Sequence, residues 1–171
     1  MARAWEVPGL VGGARFREAA GRVILTRWRE MMSYADGTLL GEDIEELHAM
    51  RVSSRRLRAA MDAFEGTFPA APFKRLLRQV KEITDVLGDA RDLDVAIERL
   101  TRMLPDLPAE ERPGIEGLVA RYRERRARED PRIAELFARI EREGFEERLA
   151  SFMAKHTGVR LAKLRPRAPG D

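Results

Sequence analysis

Apolar residues recur every three to four positions along most of the chain, the spacing that places side chains on one face of an α-helix. The first such run follows a Gly-Gly pair and includes Phe16, Val23 and Met31. Later runs are separated by glycines and prolines, which commonly end helices. The periodicity predicts helices over residues 16–37, 42–64, 72–103, 113–129 and 133–155, and it predicts no strand.

The short connections between these runs predict the architecture. They favour antiparallel neighbours, so we predict an all-α fold, an up-and-down four-helix bundle of long helices whose last helix is broken near Pro131. Gly88 and Gly144 are weak points of the third and last helices. Residues 1–13 are predicted to be an N-terminal lead, 14–155 the helical domain, and 156–171 a flexible basic tail.

The composition fits one soluble helical domain. The 171 residues suffice for a core, and 44% hydrophobic, 36% charged and 6% aromatic residues are typical of amphipathic helices. Because the sequence contains no cysteine, disulfides and thiolate metal sites are excluded. No apolar run reaches the roughly 18 residues of a membrane span. We expect a cytoplasmic protein.

Positive charge concentrates on the second predicted helix. At 3.6 residues per turn, four side chains fall within roughly 80° of arc beside an apolar stripe. They are His48, Arg51, Arg55 and Arg58. Arg56 projects away from both groups. One helix therefore carries both a core face and a basic face.

The third predicted helix repeats this arrangement, with Lys74, Arg78 and Lys81 on one face and Arg75 at its edge. Between residues 48 and 81, eight Lys or Arg stand against two acids, although the net charge of the chain is only +3. A short turn joins the two helices, so we expect their basic stripes to line one groove. Repulsion between neighbouring cations then implies a bound anion, and guanidinium and ammonium groups suit a flexible phosphate chain.

Spacing alone leaves a plainer interpretation open, in which these faces are ordinary solvated surface. A single histidine such as His48 gains meaning only from its neighbours. On the fourth helix, Arg121 and Arg125 share a face, but Glu124 and Glu129 offset part of their charge. These two arginines are additional candidates, as is Arg75.

Two strings resemble the signatures of the CHAD domain, the conserved histidine α-helical domain. Residues 48–58, HAMRVSSRRLR, resemble HxxRVxxRRLR, and residues 87–95, LGDARDLDV, resemble LGxxRDxDV. The similarity runs from about residue 16 to residue 152. It implies a helical protein that binds inorganic polyphosphate, since members of this family form a basic channel between two four-helix repeats.

The resemblance also assigns residues to the channel. His48, Arg51, Arg55 and Arg58 would line it, and Arg56 matches the signature although its helical position points elsewhere. The candidates assigned by helical face alone are Lys74, Arg78 and Lys81.

Arg91, in the second signature, lies toward the apolar side of its helix and three residues before Asp94. We expect an ion pair between them, because an unpaired buried arginine is costly; contact with phosphate is the alternative. The chain accounts for only one of the two repeats usual in the family. We therefore predict a twofold homodimer that restores a symmetric basic cleft.

These observations predict a non-catalytic module that binds inorganic polyphosphate, or phosphate and sulfate anions, with no cofactor, no metal and no membrane partner. A phosphohydrolase is the enzymatic alternative, because Asp85, Asp89 and Asp92 lie near the arginines, but the sequence has neither a P-loop nor a convincing metal set. Nucleic acid is disfavoured because no aromatic residues interleave with the arginines. A scaffold for an acidic protein stays open, as does association with polyphosphate granules.

Overall fold

Helices begin and end where the sequence supplies caps and breaks. The computed structural model describes residues 3–10, 13–41, 43–166 and 168, and within them no β-strand forms. Asp43 caps one helix by accepting a hydrogen bond from the Glu45 amide at 2.8 Å. The α-helices of the described ranges are α1 (Phe16–Met32), α2 (Ala35–Leu40), α3 (Ile44–Ala63), α4 (Ala70–Met103), α5 (Arg112–Ala127), α6 (Glu129–Arg142) and α7 (Phe145–Thr157).

These helices form an up-and-down bundle of four rods. Helix α3 packs between α1 and α4, and cross-helix ion pairs show that α3 and α4 are antiparallel. Helices α5, α6 and α7 follow one another along the bundle, with α5 and α6 against α4 and α7 against α1. Together they form the fourth rod. The predicted all-α four-helix bundle is confirmed.

The fourth rod is broken twice. The first break is at Arg128, so the predicted interruption near Pro131 is confirmed, with this proline in the first turn of α6. The second is at Gly144, whose φ of 58° lies in the left-handed region that glycine adopts without strain. The helix predicted over residues 133–155 is therefore two helices. Helix α4, in contrast, runs for 34 residues without interruption at Gly88.

The core lies between the four rods. Trp28 of α1 and Phe145 of α7 are fully buried with ring centroids 4.9 Å apart, and Trp28 Nε1 donates to Glu146 Oε2 at 2.7 Å. Nearby, Gly21 allows close approach of α7, because a Cβ at this position would collide with the Thr157 side chain. The C-terminal end of α7 is thus fixed against α1.

The predicted end of the first helix differs from the structure. The first helix was expected to continue to residue 37, but α1 ends at Met32, and α2 follows Tyr34 as a separate helix. Glu42, the predicted start of the second helix, lies outside the described residues. Helix α2 ends at Gly41, whose φ of 68° again requires the left-handed region.

The predicted flexible tail begins as a packed segment. Helix α7 continues to Thr157, and Val159 and Leu164 are buried in the core cluster. Arg29 of α1 also donates a hydrogen bond to the Leu164 carbonyl. Residues 158–164 therefore pack against the core through two apolar side chains, and the flexibility of the tail stays a prediction.

Candidate functional site

A groove of about 560 Å³ runs between α3 and α4. Leu47, Met50, Leu57 and Met61 are buried, so α3 turns its basic face toward this groove. The groove is lined by Arg51, Arg55, Arg58, Ala59 and Asp62 of α3, and by Thr84, Asp85, Gly88, Asp89 and Asp92 of α4. The three arginines that the sequence placed on one face are therefore together.

The wall formed by α4 differs from the expectation. At helical spacing, Lys74, Arg78 and Lys81 continue into the aspartates at 85, 89 and 92 along the same side of α4. The stripe is therefore basic in its first half and acidic in its second. Helix α3 shows the same reversal, since its arginines are followed by Asp62.

Because the two helices are antiparallel, the basic half of each faces the acidic half of the other. Four contacts join them: Arg51 Nη2 to Asp92 Oδ1 at 3.3 Å, Arg58 Nη1 to Asp85 Oδ1 at 3.3 Å, Lys81 Nζ to Asp62 Oδ1 at 3.2 Å, and Lys74 Nζ to Glu65 Oε1, from the turn after α3, at 3.5 Å. The inference that repulsion within the cluster requires a bound anion is therefore wrong. Carboxylates of the chain itself supply the counter-charge.

Two cations keep a surplus of positive charge on this face. Arg55 and Arg78 are exposed, and neither forms an ion pair within the described part of the chain. Arg75 is also exposed, at the edge of the same face. Exposed guanidinium groups without a carboxylate partner are the ones most available to an external anion.

The side chain of Arg51, on α3, lies against α4 beside Gly88 of the second signature. Its Nε atom is 3.8 Å from the position that a Cβ of Gly88 would take, so this part of the α4 surface is within contact distance of the guanidinium group. The same Nε is buried and has no hydrogen-bond partner among the described residues. One donor of this arginine therefore stays unused while another contacts Asp92.

His48 is half-buried one turn before Arg51 and does not line the groove. It forms no hydrogen bond or ion pair within the described residues. Its place at the end of the basic stripe agrees with the helical spacing, but the structure does not bring it together with Arg55 and Arg58.

Arg56 belongs to a different cluster. Its Nη1 donates to Glu30 Oε1 of α1 at 2.7 Å, and Glu30, which is 0% exposed, also pairs with Arg27. Arg27 continues the chain of contacts by donating to the carbonyl of Trp5 at 2.6 Å. Arg56, which matches the first signature of the family, therefore joins α3 to α1 and does not line the groove.

Asp94, the last charged residue of the second signature, pairs with α5. Its Oδ1 accepts a hydrogen bond from Arg126 Nε at 2.8 Å, so the expected ion pair with Arg91 is wrong. Burial raises the pKa of Asp94, and the charges of Arg126 and Arg91 act in the opposite direction. Arg91 is half-buried, its Nη1 has no hydrogen-bond partner among the described residues, and it does not line the groove.

The additional candidates on α5 lie apart from the groove. Arg121 and Arg125 are exposed, and the guanidinium carbon of Arg125 is 5.8 Å from the centre of the Tyr122 ring. Neither lines the groove between α3 and α4. Their charge can add only to the general field of the protein.

The fold and the groove define an all-α bundle that presents a charged cleft between two antiparallel helices. The model of the CHAD domain family matches residues 22–169, so the chain belongs to the CHAD domain family and the resemblance is confirmed. No curated protein matches the chain. Within the described ranges, no group of three or more His, Asp or Glu side chains is arranged to hold a metal ion. No helix there is long and apolar enough to cross a membrane.

Proposed function

We propose that this protein binds long inorganic polyphosphate in the groove between α3 and α4, without cleaving it. The observation that carries the proposal is the row of Arg51, Arg55 and Arg58 inside one groove. Membership of the CHAD family supports polyphosphate as the ligand, since the family resemblance implies that binding activity. Arginine forks bind phosphate oxygens through parallel hydrogen bonds.

The charge reversal on the two helices gives the ligand a diagonal path. Along this side of the hairpin the cations follow in the order Arg51, Arg55, Arg58, Lys81, Arg78 and Lys74; the first three line the groove, and the last three lie on α4 beyond its lining. At 1.5 Å per residue they extend over about 25 Å, crossing from α3 to α4 near the middle. A single phosphate can reach only one or two of these groups, whereas an extended chain can contact them all.

Existing ion pairs are exchanged when the ligand binds. The side chains of Asp85 and Asp92 are 69% and 75% exposed, and exposed ion pairs contribute only about 0–1 kcal/mol. Arg51 and Arg58 can therefore leave these carboxylates at little cost. Arg55 and Arg78 form no ion pair among the described residues, so they make the first contacts with the ligand.

The direct test is a polyphosphate titration at several salt concentrations, with Arg55→Glu and Arg78→Glu compared with Arg123→Glu. Arg123 is exposed on α5, outside the groove, so it matches the charge change. We expect Arg55→Glu and Arg78→Glu each to weaken binding about tenfold, whereas the control Arg123→Glu stays close to wild type. Six contacts give a salt slope of at most about −4 to −5. Equal affinity of all three variants would contradict the proposal.

The remaining parts of the proposal have separate tests. Long polyphosphate incubated with the protein and Mg²⁺ or Mn²⁺ keeps its length if no hydrolysis occurs. Duplex and single-stranded nucleic acid compete weakly if the ligand is polyphosphate.

Light scattering detects the twofold dimer that would double the groove, and a monomer that binds polyphosphate fully would refute that dimer. Fluorescent labelling in cells tests a cytoplasmic location and association with polyphosphate granules.

A further inference from the structure

Two aspartates of the groove, Asp85 and Asp92, contribute little to the stability of the fold. Asp85 and Asp92 contact Arg58 and Arg51 across the groove at 3.3 Å each, yet both aspartate side chains are mostly exposed. Helix α4 is already held by its buried apolar face, which includes Val80, Ile83 and Leu87. Exposed pairs of this kind add little to stability. Besides aligning the two helices, these carboxylates must therefore act on whatever enters the groove.

The same aspartates stand where a bound anion would lie. Each aspartate pairs with a guanidinium group that a phosphate would bind. After a phosphate has replaced it in this contact, the carboxylate remains beside the ligand as a negative charge. A phosphate chain must therefore displace both carboxylates and then tolerate them. This opposes binding by a constant amount, whatever the length of the ligand.

We propose that Asp85 and Asp92 are built-in competitors that set an affinity threshold for the groove. The inference rests on the proposed polyanion binding. A ligand that makes few contacts, such as a short phosphate chain, falls below useful occupancy, whereas a long chain that contacts the whole diagonal path exceeds the threshold. The difference in affinity between long and short chains comes from the number of contacts, and the aspartates lower both affinities, so that only a long chain keeps useful occupancy.

The salt dependence of binding carries a signature of this competition. A polyanion releases bound cations when arginines neutralise it, but aspartates freed from Arg51 and Arg58 take up cations in return. The wild-type slope of log affinity against log salt is therefore shallower than the number of arginine and lysine contacts predicts. Removing both carboxylates should therefore steepen the slope.

The experiment compares the double variant Asp85→Asn/Asp92→Asn with wild type, using long polyphosphate and tripolyphosphate as probes. We expect affinity for both to rise about tenfold at low salt, so that tripolyphosphate binding becomes measurable, and the salt slope to steepen. The matched control, Asp36→Asn/Asp106→Asn, changes the net charge equally at exposed positions outside the groove. Circular dichroism checks that each variant is helical.

The outcomes separate the two proposals. If wild type does not bind long polyphosphate, the proposed function fails. If wild type binds but the groove variant binds no more tightly than the control variant, the threshold is refuted. Weaker binding by the groove variant would also refute it, because the aspartates would then hold Arg51 and Arg58 in the orientation that binds phosphate.

Discussion

The buried carboxylate of Glu30 provides the sharpest test of how the bundle is held together. It is 0% exposed and pairs with Arg27, which is 8% exposed, and with Arg56. Glu30→Ala removes the buried carboxylate that pairs with both guanidinium groups. Removing one partner of a buried ion pair costs about 3–5 kcal/mol. Total stabilities of single domains are only about 5–15 kcal/mol.

Urea unfolding followed by circular dichroism measures this loss. With a slope of about 2 kcal/mol per molar urea, Glu30→Ala should lower the unfolding midpoint by about 1.5–2.5 M. Arg56→Ala should cost less, about 1.5–3 kcal/mol, because Glu30 keeps its contact with Arg27. Midpoints within about 0.3 M of wild type for both variants would refute this account of the cluster.

The neighbouring arginine supplies the control. Arg55→Ala removes an exposed side chain in the groove, so it should leave stability nearly unchanged while weakening polyphosphate binding. Arg56→Ala should do the reverse. If Arg56→Ala weakened binding as much as Arg55→Ala at unchanged stability, the assignment of Arg56 to the contact between α1 and α3 would be wrong.

Three further predictions follow from single residues. Gly144→Ala should lower the free energy of unfolding by about 1 kcal/mol in urea titrations, because φ there is 58°; an unchanged value would contradict this. Burial and the charges of Glu30 and Glu46 raise the pKa of Tyr34 above 10.0, so an alkaline absorbance titration should show a late phase that Tyr34→Phe removes. Burial raises the pKa of Asp94 above 3.8, so its contribution to stability is present below about pH 4 and is lost as pH rises through the raised pKa. The stability of Asp94→Asn relative to wild type should therefore increase from pH 4 to pH 7, and a constant difference would refute the shift.

Hydrophobic spacing was sufficient to predict the long helices and their order, but it did not predict α2 as a separate helix. The prolines and Gly144 located the breaks of the last rod, because these residues act locally on the backbone. The anchoring of Leu164 was not predictable, since a short irregular segment has no periodicity to show that it is buried. Helix ends such as Met32 depend on tertiary packing and were predicted less well.

The candidate site was predicted in part. A helical wheel of α3 placed Arg51, Arg55 and Arg58 on one face, as the structure has them. It could not give the register between α3 and α4. The count of charges covered residues 48–81 only, so it did not include Asp85 and the aspartates after it. The wheel also showed correctly that Arg56 points away from the groove, but it could not show that its partner Glu30, in the mixed run TRWREMM of α1, is buried.

The charge reversal along α3 and α4 also selects one alignment of this helical hairpin. In the observed alignment Arg51 meets Asp92 and Arg58 meets Asp85. Sliding one helix by two turns would bring Arg55 opposite Lys81, so like charges would meet in the middle of the hairpin. The alternation of sign that weakens anion binding therefore also disfavours this shifted alignment of the two helices.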